Sequence, residues 1–230
     1  MPEGESLSEL KFDSIENLDP TPEERDNVDM EILERRYPKK VQLGEKTITI
    51  RPLESKDEEV LLEFFQRIPK EDRILLKDDV LDARTISDWC KSLEYETILP
   101  LLAWDGKRVV GDATLHRERG WMCHVARIRA VVDPEMRRRG IARVLIGEFL
   151  EMARDLNIAV MDAEIMAEQQ AGLKMFEALD FVAVATLPQH ALDLLGTPHD
   201  VIVLSRQILT TAEAGVDRDT KIEESEPRRR

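Results

Sequence analysis

Cysteine and histidine are scarce in this chain, with two cysteines and four histidines among 230 residues. Cys90 and Cys123 have no spacing that suits a disulfide framework or a metal cluster, so they read as reduced core thiols of a cytoplasmic protein. His116, His124, His190 and His199 are scattered without zinc-site spacing, and no metal is expected. No apolar run reaches the roughly 18 residues needed to span a bilayer, so no membrane insertion is expected. The opening "MPEGESLSEL" lacks the basic and apolar regions of a secretory signal. Basic charge is also in deficit, with a formal net charge of −14, which argues against non-specific nucleic-acid binding.

What is present is a hydrophobic fraction of 42%, enough for one real core. The acidity is uneven. Residues 1–36 carry a net −8 with few large apolar side chains, and read as a disordered or loosely helical arm. Residues 210–230 read as a solvated, disordered tail, which leaves 37–209 for a folded domain.

Within that domain strands and helices alternate. "KTITIRPL" alternates Ile48, Ile50 and Leu53 with polar residues, as a strand does. "SKDEEVLLEFFQRI" has Ser55 and Glu58 in capping-box spacing, then a helical stripe of Leu61, Phe64, Phe65 and Ile68. "RTISDWCKSL" predicts a second helix. The two apolar runs of "TILPLLAWDGKRVVGDATLHRE" meet at Asp105-Gly106, a hairpin signal. Strand "CHVARIRAVV", helix "GIARVLIGEFLEMARDL", strand "IAVMDAEIM", helix "QQAGLKMFEAL" and two closing strands follow. Hairpins plus one βαβ crossover predict a mixed sheet of six or seven strands flanked by helices, an α/β (α+β) fold.

The crossover helix starts at an unusual junction, "AVVDPEMRRRGIARVLIGEFLEMA", residues 130–153. A helix N-terminus leaves its first four amides without partners and carries partial positive charge. A preceding loop that turns its own amides inward makes an anion nest. A phosphate needs close backbone approach, and Gly140 has no Cβ in the way. With Gly140 as its single glycine, the strand-to-helix loop matches neither the dinucleotide fingerprint nor the P-loop.

The segment "VVDPEMRRRGIARVLIGEFL" resembles the acyl-CoA motif of the GCN5-related N-acetyltransferases (GNAT superfamily), Arg/Gln-x-x-Gly-x-Gly/Ala between a strand and a helix. Arg137, Gly140 and Ala142 fill the three defining places. The order of elements from about Thr47 to Ile208 is similar too. The resemblance implies a mostly antiparallel, twisted sheet with a splayed central strand pair. It implies an enzyme, an N-acyltransferase that uses acetyl-CoA as cosubstrate. Amides of Arg138, Arg139, Gly140, Ile141, Ala142 and Arg143 would hold the CoA pyrophosphate. Ala130, Val131 and Val132 would pair with pantetheine and hold the oxyanion. Gln169 stands where the family has a CoA-contacting Asn. The acceptor would be a primary amine on a small molecule or a protein, and nothing indicates the oligomeric state.

Two family features are missing. Some members carry a glutamate where this chain has Ala126, and others an acid where it has Arg127. His124, on the strand face of Ala126, is then the first candidate base, with His116, Glu118 and Glu164 in reserve. The family's proton-donating tyrosine is replaced by Phe176, which suits a core position, and its helix-ending glycine by Asp180. These departures keep a second reading open, a catalytically degenerate module that binds acyl-CoA and regulates. A third is an interaction protein recruited through the acidic arm.

Overall fold

The computed structural model describes residues 30–209, so residues 1–29 of the arm expected over 1–36, and the tail expected over 210–230, lie outside the described residues. Residues 30–36 form a helix, α1, whose Ile32 and Leu33 are buried in the main core. Lys39 and Tyr37 reach α5 (Ile141–Met152) and bond the buried Glu148 at 2.6 and 3.2 Å.

Eight strands make one sheet: β1 (Lys39–Leu43), β2 (Lys46–Pro52), β3 (Ile98–Asp105), β4 (Arg108–Arg117), β5 (Val125–Val132), β6 (Val160–Met166), β7 (Val182–Leu192) and β8 (Pro198–Gln207). Their order is β1-β2-β3-β4-β5-β6-β8-β7, antiparallel except for the β5–β6 pair. The strand beyond the expected six or seven is β1. Only Val41 and Leu43 alternate within its five residues, too short a pattern to read, and it is defined by pairing with β2.

The remaining helices are α2 (Glu58–Arg67), α3 (Lys70–Arg73), α4 (Ala83–Lys91) and α6 (Gln170–Glu177). The capping contact expected at Ser55 and Glu58 sits one residue earlier. Asp57 accepts from the Glu54 amide at 2.8 Å because Arg51 grips its carboxylate at 2.6 and 2.7 Å. Ser55–Asp57 is therefore a 3-10 turn, and α2 starts at Glu58.

The sheet separates two apolar clusters. On one face, α5 buries Ile141, Leu145, Phe149 and Met152, about 1.5–3 kcal/mol apiece, against Leu101, Ala113, Leu115 and Ile128. On the other, α2 and α4 bury Leu61, Phe64, Phe65 and Ile86 against Leu102 and Val109. Helix α5 approaches β4 closely at Gly111, where an added Cβ would lie 2.7 Å from Ile141 Cγ2. That contact fixes the N-terminus of α5 against the sheet. Among the described residues no helix is long and apolar enough to cross a membrane.

Candidate functional site

Strands β5 and β6 pair over only three residues, Val125–Val160, Ala126–Met161 and Arg127–Asp162. From Ile128 onward β5 keeps β4 on one side and has no strand on the other. Alternate amides and carbonyls of residues 128–132 therefore face an open fork. Both strands leave the fork on the same side as the α5 N-terminus, since α5 is the crossover between them.

The loop that feeds α5 is held from below. Asp133 is fully buried and takes 2.8 Å bonds from Arg67 and Arg108, plus the Glu135 amide at 3.1 Å. Burial alone would raise its carboxyl, but the two guanidinium groups outweigh that and hold it below the usual carboxylate range. After a 3-10 turn over Pro134–Met136, Arg138 has φ +59° and Gly140 φ +91°. Left-handed residues so placed turn successive amides to one side.

The result is six consecutive amides, Arg138 to Arg143, with no acceptor among the described residues. Val144 is the first to find one, donating to Gly140 O at 2.9 Å. A Cβ on Gly140 would touch only Leu43 Cδ2, at 3.7 Å, so glycine is favoured here by φ and not by crowding. The Arg137 side chain turns away from the nest, to Asp72 at 2.8 Å and Val132 O at 3.3 Å. Arg138, Arg139 and Arg143 are exposed around its rim.

Side chains on the α2–α4 face of the sheet form a polar grid beside the fork. Alternation fixes its members, because Ala113, Leu115, Ile128 and Ala163 face the α5 core. Asp112, Thr114 and His116 of β4 lie opposite Val131, Arg129 and Arg127 of β5, and Arg127 lies opposite Asp162 of β6. Glu164 is one step further out on β6. The segment between α3 and α4 lies over this grid, with Lys77 on Glu164 at 2.5 Å and Asp78 on Arg129 at 3.4 Å.

His116 and Glu164 share this face, joined through Arg127, which lies 3.6 Å from Glu164. His124 does not share it. It sits in the turn before β5, at the zipped end of the β5–β6 pair, where its carbonyl accepts the Ala159 and Val160 amides. Six residues of strand, about 20 Å, separate it from Ala130. Neither companion is a good base. Burial and the charges of Arg129, Lys77 and Arg127 push His116 down to about 4, so it is neutral but weakly basic. Burial would lift Glu164, yet the Lys77 bond and neighbouring arginines hold it below its ordinary value.

Asp112, a further member of this grid, was not singled out from the sequence. Its carboxyl has no hydrogen-bond or ionic partner among the described residues, and burial pushes it up to about 7. The available signal was an acid at a core-parity position in the apolar run "VVGDATL".

Gln169 caps β6, its Oε1 accepting the Met166 amide at 3.2 Å. Phe176 is buried, edge-on to Phe181 with ring centroids 5.0 Å apart. Asp180 ends α6 with φ +59°, the left-handed conformation that aspartate tolerates. No cluster of three or more potential metal ligands occurs among the described residues.

The model of the acetyltransferase (GNAT) family matches residues 60–181. An L-amino acid N-acyltransferase of Escherichia coli (strain K12) is 27% identical over 114 residues, which is 49% of this chain and 66% of that protein, just under two thirds of its length. The structure of yncA from Salmonella typhimurium, a putative acetyltransferase with its cofactor acetyl-CoA, superposes with a TM-score of 0.59 at 20% identity, covering 70% of this chain and 94% of that one. A ribosomal-protein-S5-alanine acetyltransferase from Vibrio fischeri gives 0.65 at 14% identity, covering 74% and 97%.

Proposed function

The chain belongs to the acetyltransferase (GNAT) family, and from that premise we propose that it is an N-acyltransferase that moves an acetyl group from acetyl-CoA to a primary amine by direct attack. The observation that carries this reading is the row of six unpartnered amides, 138–143, at the mouth of the β5–β6 fork. The residues fit the ligand. A pyrophosphate accepts charge-assisted bonds from such a row, about 1.5–3 kcal/mol each. Exposed Arg138, Arg139 and Arg143 add positive charge at the rim. The free edge of β5 at Ala130, Val131 and Val132 suits an extended pantetheine arm, which would add to the sheet as a strand does.

Acetyl-CoA supplies an activated thioester. The chain's part is to hold the thioester in the fork, present an amide of the Ala130–Val132 strand to the carbonyl oxygen, and admit the amine from the α2–α4 face. Buried Phe176 has no proton to give, and a thiolate leaves tolerably without one, since a thiol's pKa lies near 8.5.

Arg127 at the family's acid position favours the second reading, an acyl-CoA-binding module without turnover. Thiol release from acetyl-CoA, measured across amino acids, polyamines and peptides with free N-termini or lysines, separates the two. Release with at least one amine class is expected. Tight acetyl-CoA binding with no release on any amine would replace the enzyme with the module.

A further inference from the structure

On the acyltransferase reading, the ammonium form of an acceptor must lose a proton before its nitrogen can attack, and none of the bases expected from sequence is well suited. His124 is at the wrong end of β5, His116 is too weakly basic, and Glu164 is held by Lys77 and Arg127. Within the polar grid two carboxyls are left over: Asp162, whose buried Oδ1 has no partner but which lies in the paired β5–β6 segment, and Asp112, which lies opposite the open part of β5.

From its place in the sheet, we infer that Asp112 is the general base of this acyltransferase: an unpartnered carboxyl on the acceptor face of β4, directly opposite Val131 beside the open fork. Three observations support it, and the inference rests on the transfer reading above.

The first is position. Asp112 and Val131 are register partners, with Cα atoms about 4.5–5.5 Å apart, so the carboxyl lies next to the strand segment that would hold the thioester. That is within reach of the reacting nitrogen through one water.

The second is isolation. Its neighbours across the sheet, Leu102 on β3 and Val131 on β5, belong to the apolar cluster under α2 and α4. Among the charged groups of adjoining elements, Arg129 turns to Asp78 and Arg67 to Asp133. A carboxyl set among apolar side chains with no partner costs stability, and that cost is the mark of a functional group rather than a structural one.

The third is proton affinity. With its carboxyl at about 7, Asp112 both accepts a proton at neutral pH and holds it well enough to assist attack.

The step balances as follows. Asp112 carboxylate takes one proton from the acceptor ammonium, directly or through water. The freed nitrogen forms the C–N bond as the C–S bond breaks. The second proton that the nitrogen sheds goes to the departing thiolate, and Asp112 returns its own proton to solvent.

The test compares full-length wild type, Asp112→Asn and Glu164→Gln in acetyl-CoA turnover between pH 5.5 and 9. The acceptors are the amine active in the screen above and hydroxylamine, which is largely unprotonated at neutral pH. Acetyl-CoA affinity is measured on the same samples. The expected result has four parts. Wild-type kcat rises with unit slope below pH 7 and levels above. Asp112→Asn loses at least about 100-fold in kcat with the cationic amine and loses the break in the profile. Its rate with hydroxylamine falls far less, and its acetyl-CoA affinity is unchanged. Glu164→Gln keeps the break. An Asp112→Asn enzyme that keeps the rate and the break overturns the inference alone. A wild-type chain that binds acetyl-CoA but turns over no amine overturns the transfer reading, and the inference with it.

Discussion

At its C-terminal end β5 leads into a site made of backbone, while across its middle it faces a site made of side chains. The nest at 138–143 depends on φ at Arg138 and Gly140 and on the seat of α5. The grid around Asp112, Arg129 and Glu164 depends on which charges are paired and which are left over. The first tolerates side-chain change and the second does not. On the transfer reading, a family can keep its cofactor site while exchanging the groups beside the acceptor, as Arg127 at the family's acid position illustrates.

Four expected outcomes sharpen this contrast. The largest concerns the support of the nest. Asp133→Ala leaves Arg67 without its buried carboxylate and should cost about 3–5 kcal/mol in urea unfolding. Because Asp133 is held below its unfolded pKa, its contribution is present above about pH 4 and is lost on further acidification. An Asp133→Ala penalty as large at pH 3 as at pH 6 would contradict that role.

Next is Gly111→Ala, whose Cβ would lie 2.7 Å from Ile141 Cγ2 and 3.1 Å from Leu145 Cδ1. Pushing α5 off β4 should cost about 1–3 kcal/mol and weaken acetyl-CoA binding in parallel. Loss of stability with unchanged affinity would mean that the nest does not depend on the seat of the helix.

Asp112→Asn should make the chain more stable at alkaline pH. A carboxyl raised from about 4 to about 7 favours folding at low pH, and that advantage disappears as pH climbs through the interval. The variant escapes the loss, so it should gain up to about 4 kcal/mol over wild type at pH 8 and almost nothing at pH 4. Parallel stability curves would show that Asp112 is already solvated.

The smallest effect belongs to the arginine side chains. Arg138→Ala combined with Arg139→Ala should weaken acetyl-CoA binding only about threefold to tenfold, and less at high salt. A larger, salt-independent loss would shift the weight from backbone to guanidinium.

The contrast also explains what was legible in sequence. Asp180, at the place of the family's helix-ending glycine, was legible as a left-handed position and has positive φ, whereas Gly140 was legible only as a place of close backbone approach and its φ of +91° came from the structure. Phe176 at helical spacing read correctly as core. Strand β1 was missed because five residues with two apolar side chains carry little periodicity, and its pairing with β2 defines it. His124 looked like a base because strand alternation places a residue on a face but says nothing of its distance along the strand from the fork. Asp112 and the Asp133–Arg67–Arg108 cluster rest on contacts between residues 25 to 66 positions apart, or on the absence of any contact. Local pattern holds neither kind of information.

The most direct test of the account is a calorimetric titration of the full chain with acetyl-CoA, wild type against Gly140→Asp. The substitution puts a side chain and a negative charge into the nest at φ +91°. Wild type should bind one equivalent, and the variant should lose at least about 100-fold in affinity while its circular dichroism stays native. Equal affinity in the two chains would contradict the claim that the backbone from Arg138 to Arg143 holds the ligand.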